Sequence, residues 1–120
     1  MLIYPVTDLS SFETDSHRDL AEGYFLTRAA MNWFTGHYLP GPNLARHPEV
    51  SPLLASDVSG LPPGLVITAE FDPLRDEGEA YAQRFARQGC PSPSAATREW
   101  FMDSFPCEEY SPVAARRLTK

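Results

Sequence analysis

The residues best placed to do chemistry are Phe71-Asp72-Pro73-Leu74-Arg75-Asp76-Glu77-Gly78, just behind an apolar, β-branched run. In open α/β sheets, functional groups gather at the carboxyl ends of strands. An aspartate there can orient a histidine and stabilise its imidazolium form, which is the acid's part in a Ser-His-Asp triad. Pro73 fixes the turn, and Asp76 can cap the following helix. The same residues also fit a plain turn, because Asp-Pro is a common turn starter. Spacing alone favours the turn.

The partners such an acid needs do not follow from the pattern. His17, His37 and His47 lie in loops or at a helix end, without metal-ligand spacing, and read as solvated surface histidines. One triad order runs Ser, then Asp or Glu, then His, and all three histidines precede Asp72. No Gly-x-Ser-x-Gly elbow occurs, and Ser10, Ser11 and Ser51 read as ordinary loop serines. Phe25, Leu26 and Trp33 are candidate substrate-binding residues, with Met31 and Phe34 as further candidates for an acyl pocket. Met31 and Phe34 fit better as helix core.

These residues need elements to hold them. Leu2 to Val6 reads as a short buried strand, ended by Pro5 and Asp8. A core strand so close to Met1 suggests truncation, because chain ends are normally exposed. Residues 9 to 26 suggest loop, with a helical turn near Ser16 to Glu22. Thr27 is a good N-cap, and Met31, Phe34 and Tyr38 then form one apolar helical stripe. Pro40-Gly41-Pro42 stops that helix, and residues 40 to 63 read as a long surface loop. Gly64 to Ala69 suits a parallel strand buried on both faces. The next helix begins near Asp76, with Gly78, Ala82, Phe85 and Ala86 on one face and Gly89 as its stop. Buried strands with helices between them predict an α/β layered fold. Residues 90 to 120 hold Cys90, Cys107 and four prolines without a clear period, and are expected to be irregular.

The 120 residues make one domain at most, or part of a larger one. The 42% hydrophobic and 22% charged fractions are ordinary for a soluble globular protein. A net charge of -6 argues against nucleic-acid or anionic-membrane partners. No apolar run approaches a membrane span, and Met1 to Pro5 does not resemble a signal peptide. The two cysteines have no metal spacing and make only a weak case for a disulfide. A cytoplasmic location is the default expectation.

Several ordered segments resemble one family: Leu2-Ile3-Tyr4-Pro5-Val6-Thr7-Asp8, Gly23-Tyr24-Phe25-Leu26-Thr27, Trp33-Phe34, Val50 to Ala55, Leu61-Pro62-Pro63 and Val66 to Ala82. From Leu2 to Gly89 the chain is similar to bacterial hormone-sensitive-lipase-like esterases of the α/β-hydrolase fold. The resemblance implies the C-terminal part of an α/β-hydrolase sheet, incomplete, over residues 1 to 89. It implies carboxylic-ester hydrolysis of small acyl esters without a cofactor or metal, and Asp72 as the catalytic acid. The family's His-Gly-Gly oxyanion segment and Gly-Asp-Ser-Ala-Gly elbow belong before Leu2. Its histidine follows in a Gly-Met-x-His-Gly-Phe segment, which residues 90 to 120 do not contain.

The genetic code offers a reason. The third base of each codon can be read with the first two of the next. Trp100 to Phe101 then forces Val, and Met102 to Asp103 forces Gly. Phe101 to Met102 permits only His or Tyr, while Arg98 to Glu99 permits Gly, Glu99 to Trp100 permits Met or Val, and Asp103 to Ser104 permits Phe. The shifted frame can therefore spell Gly-Met-Val-His-Gly-Phe. From Gly89 it can spell Val-Pro-Val-Thr, a plausible strand. The expectation is an off-frame tail and a chain that is inactive alone. The alternative is a non-catalytic remnant, or half of a split enzyme that pairs with another chain or self-associates through exposed strands.

Overall fold

The computed structural model describes residues 1–62, 64–87 and 94–97. Its elements run β1 (Leu2–Ile3), α1 (Asp15–Asp19), α2 (Arg28–Tyr38), two 3-10 turns (Pro42–Arg46 and Pro52–Leu54), β2 (Val66–Ala69), α3 (Arg75–Arg87) and β3 (Ser94–Thr97). The three strands are parallel, in the order β1-β2-β3. This is the α/β layering expected from the residues, in the form of a short parallel sheet with helices.

All four residues of β2 are buried, as its near-continuous apolar run predicts. β1 is shorter than expected. Its ladder bonds run from Leu2 N–H to Leu65 O (2.7 Å) and from Tyr4 N–H to Ile67 O (2.9 Å). Tyr4 then turns the chain out of the strand at φ +47°, a conformation that L side chains seldom adopt. Ser94–Thr97 pairs with β2 within a segment expected to be irregular. The rest of residues 90 to 120, Cys90 and Cys107 included, lies outside the described residues.

Thr27 caps α2 as expected, its Oγ1 accepting the Ala30 N–H at 3.2 Å. The stripe on α2 divides differently. Met31 is buried with Phe12 and Leu74, whereas Phe34 and Tyr38 are 57% and 68% exposed. A helical period locates an apolar face but not what covers it. On α3, Gly78, Ala82 and Phe85 are buried as expected, joined by Glu77 and Tyr81, while Ala86 is exposed. Tyr81 and Phe85 pack with Val58, Leu53 and Ala55. The Arg84 guanidinium donates to Leu53 O and Ala55 O, which fastens the second 3-10 turn to α3. Ser51 is fully buried rather than a free loop serine: its Oγ donates to Ala45 O at 2.6 Å and accepts the Leu9 N–H at 2.7 Å. No helix among the described residues is long and apolar enough to cross a membrane.

α3 crosses β2 closely at Gly78. A Cβ there would lie 2.9 Å from Thr68 Cγ2, with Pro5 Cδ at 3.6 Å. Thr68 is β-branched and stiff, so the helix itself must move. Gly78→Ala is expected to destabilise the chain by about 1–3 kcal/mol. Urea unfolding checks this, and an unchanged midpoint would count against the close packing.

Candidate active site

Asp72 lies three residues past the end of β2, in the turn that leads into α3. The turn is closed by the Arg75 N–H donating to Asp72 O at 3.0 Å. Pro73 is fully buried, and the Arg75 guanidinium donates to Glu70 O across the same turn. Asp72 itself is 2% exposed. Its Oδ1 accepts the Leu74 N–H at 3.0 Å. Its Oδ2 is buried and has no hydrogen-bond partner among the described residues. A buried carboxylate oxygen left without a donor is uncommon and needs an explanation.

Burial pushes the Asp72 carboxyl above its ordinary 3.8. The Leu74 N–H and the charges of His17 and Arg75 oppose the rise, and Glu77 adds to it. Beside it, burial and then the Asp72 charge raise the Tyr4 phenol. The folded state therefore holds the Asp72 proton to higher pH than the unfolded chain does. Stability from this group is full below 3.8 and is lost as pH rises through the raised value. Asp72→Asn is expected to remove that decline. Urea unfolding across a pH series checks it: the gap between wild type and variant should grow as pH rises, and a constant gap would contradict the assignment.

Behind Asp72 lies a buried polar network that the spacing of these residues did not indicate. His17 was expected to be solvated but is 1% exposed, and it pairs across the fold with Glu77. Its Nδ1 lies 2.7 Å from Thr14 Oγ1, and its Nε2 lies 3.3 Å from Glu77 Oε2 without the alignment of a hydrogen bond. Glu77 Oε1 accepts the N–H groups of Thr7 (2.5 Å) and Asp8 (3.3 Å), and Thr7 Oγ1 donates to Glu77 O. Asp76 was expected to cap α3 but lies within its first turn and reaches across to α1 instead. Its Oδ2 accepts the Ser16 N–H at 2.7 Å, and Ser16 Oγ donates to Pro73 O at 2.7 Å. Burial works against the Asp76 charge, but Ser16 and Arg75 together hold its carboxyl below the usual range. One sequence sign was available: Glu77 stands one turn before Tyr81, on the inward face of α3.

The substrate-binding candidates are scattered. Leu26 packs on the Phe12–Met31–Leu74 cluster, two residues along from Asp72. Phe25 is 79% exposed, and Trp33 is exposed beside Phe34 and His37. A groove runs between the 9–13 segment, α2 and the first 3-10 turn, bordered by Ser10, Phe12, Arg28, Asn32 and Leu39. None of the three candidates lines it.

The α/β hydrolase fold family matches residues 1–100. The chain is 43% identical over 89 residues to a carboxylic ester hydrolase of Mycobacterium tuberculosis, covering 73% of this chain and 23% of the relative. It is 41% identical over 86 residues to an arylesterase of Saccharolobus solfataricus, covering 71% of this chain and 27% of that protein. Among solved structures, a thermostable esterase from Pseudomonas putida superposes with a TM-score of 0.75 at 47% identity, over 78% of this chain and 30% of that one. A thermostable carboxylesterase from a metagenomic library superposes with a TM-score of 0.78 at 42% identity, over 83% and 34%. The chain thus spans about a quarter to a third of the length of these relatives. The chain belongs to the α/β-hydrolase family and matches part of the length of hormone-sensitive-lipase-like esterases.

Proposed function

We propose that this chain supplies the catalytic acid of a carboxylic-ester hydrolase and does not hydrolyse esters by itself. The observation that carries the reading is Asp72 Oδ2, buried and without a partner among the described residues at the carboxyl end of β2. A triad acid holds one oxygen with its own backbone and offers the other to an imidazole N–H. Asp72 has the first bond, through Leu74, and keeps the second oxygen open. In the complete reaction a serine Oγ attacks the ester carbonyl, and the histidine takes its proton and gives it to the leaving alkoxide. Water then releases the acyl group by the same route. Asp72 keeps the imidazole in the right tautomer and stabilises its charged form.

The off-frame reading of the tail rests on the codons: in the shifted frame a histidine stands in place of Met102, after Asp72 in the order Ser, Asp, His. The serine elbow and oxyanion donors belong to the portion of the family that precedes Leu2.

Loss of one triad member leaves a residual rate enhancement of about 10³ to 10⁴ only where oxyanion hole and binding survive. The purified chain is therefore expected to give no saturable turnover of p-nitrophenyl acetate. Such turnover would overturn the inactive reading. The chain with its frame restored, co-produced with the upstream portion of the Pseudomonas putida relative, is expected to turn the ester over. A folded complex of that composition without turnover would overturn the role of Asp72. Codons that spell something else in the shifted frame would remove the tail argument.

A further inference from the structure

We propose that His17 is a positioning residue for Asp72, acting through the Thr14 and Ser16 hydroxyls. Its ring carries one hydrogen, on Nε2 against Glu77, and accepts the Thr14 hydroxyl at Nδ1. The inference takes from the esterase reading only the role of what is positioned, the triad acid.

The two ring nitrogens have different neighbours. Nδ1 lies 2.7 Å from Thr14 Oγ1, and Nε2 lies 3.3 Å from Glu77 Oε2. A ring turned over would set carbon against both oxygens. Phe12 packs edge-on against the ring at 5.4 Å and holds its plane. The His17 and Glu77 side chains are each 1% exposed. Oε1 of Glu77 is taken by the Thr7 and Asp8 N–H groups, so Oε2 is the oxygen left for the ring. A bare Nε2 there would set two lone pairs face to face in a dry site. A hydrogen on Nε2 removes that clash, although the contact is too bent to count as a hydrogen bond.

The hydroxyls then settle Nδ1. Thr14 and Ser16 have one hydroxyl hydrogen each, and three contacts compete for the two. Thr14 Oγ1 to His17 Nδ1 and Ser16 Oγ to Pro73 O are both 2.7 Å, while the two hydroxyl oxygens stand 3.1 Å apart. The short contacts take both hydrogens, and the 3.1 Å pair has none between its oxygens. Were the ring hydrogen on Nδ1 instead, the Thr14 hydroxyl would be released to Ser16 and would close that gap.

Ser16 passes the difference on. Its hydroxyl donates to Pro73 O, and the N–H of the same Pro73–Leu74 peptide donates to Asp72 Oδ1 at 3.0 Å. Hydrogen bonds in a chain polarise one another, so a stronger Ser16 donor makes Leu74 a stronger donor to Asp72. The ring hydrogen of His17 is thus read at the carboxylate.

The test uses the full chain with nitrogen-labelled histidine, followed by long-range proton–nitrogen spectra at neutral pH. The resonances lost in His17→Gln identify the ring. Hydrogen on Nε2 alone is expected, and hydrogen on Nδ1, or on both nitrogens, overturns the proposal. In Glu77→Gln the amide oxygen is claimed by Thr7 and Asp8, so its NH2 faces Nε2. The ring hydrogen is then expected to move to Nδ1, and the Leu74 amide proton to shift downfield. Thr14→Val in that background should abolish the downfield shift, and Thr14→Ser should keep it. An unmoved ring hydrogen, or a Leu74 shift that survives Thr14→Val, overturns the relay. If Glu77→Gln does not fold, Thr14→Val alone decides. Its ring should keep hydrogen on Nε2 with the Leu74 resonance in place, and a hydrogen moved to Nδ1 overturns the assignment. A restored enzyme without ester turnover would sink the esterase reading and leave the ring hydrogen where it is. A ring with hydrogen on Nδ1 would sink the relay and leave the role of Asp72 standing.

Discussion

Asp72→Asn is expected to lower kcat of the reconstituted, frame-restored enzyme by about 10⁴-fold, with KM nearly unchanged. The reason is local. The Leu74 N–H holds Oδ1, so the side chain cannot swing to present its other face. Asparagine then either places an NH2 where Oδ2 accepts the imidazole N–H, or loses the Leu74 bond by flipping. In the first case the imidazole turns to the tautomer that cannot take the serine proton. Substrate touches neither atom, so binding is spared. Asp72→Glu keeps the charge but moves it by one methylene, and its loss should be smaller. Steady-state turnover of p-nitrophenyl acetate measures both variants. A fall of less than about tenfold for Asp72→Asn would mean that another carboxylate orients the histidine.

Glu77→Ala should be the most damaging substitution for folding, at about 3–5 kcal/mol. Glu77 is 2% exposed, accepts from one stretch of chain and stands against another. Its carboxylate takes the Thr7 and Asp8 N–H groups, which follow β1, and faces the His17 ring, which belongs to α1. Alanine leaves two backbone donors dry and unpaired and removes the carboxylate that faces the His17 ring. Domains of this kind have only about 5–15 kcal/mol in total, so much of the stability goes with one side chain. Glu77→Gln keeps an acceptor for Thr7 and Asp8 and is expected to lose less. A urea midpoint lowered by roughly 2 M for the alanine variant is expected, given slopes of about 1–3 kcal/mol/M. A shift below roughly 0.5 M would show that the network contributes little net energy.

The two predictions act on adjacent parts of one assembly. Ser16 joins α1 to Pro73 and Asp76, and Glu77 joins the post-β1 segment to α3. The turn that carries Asp72 is thus held from behind by residues about sixty positions away in sequence. Rigid support of this kind lets a carboxylate stay aimed while one oxygen waits without a donor.

The residues alone determined the strand–turn–helix unit from β2 to α3, because a β-branched run, an Asp-Pro turn and a helical stripe are local signals. They also determined the Thr27 cap and the place of Asp72 at a strand's carboxyl end. Ordered family segments then supplied the fold. The tertiary structure alone decided the rest. The sequence around His17 suggests a surface residue, and only the fold brings Glu77 against its ring from another element. Ser51 sits in a proline-rich stretch that reads as open loop, yet Ala45 and Leu9 enclose it. Phe34 follows the helical period faithfully and stays exposed, because period describes one helix and burial depends on what packs against it. Short-range chemistry places Asp72 in its turn. Only contacts between distant segments bury it and leave Oδ2 without a donor among the described residues.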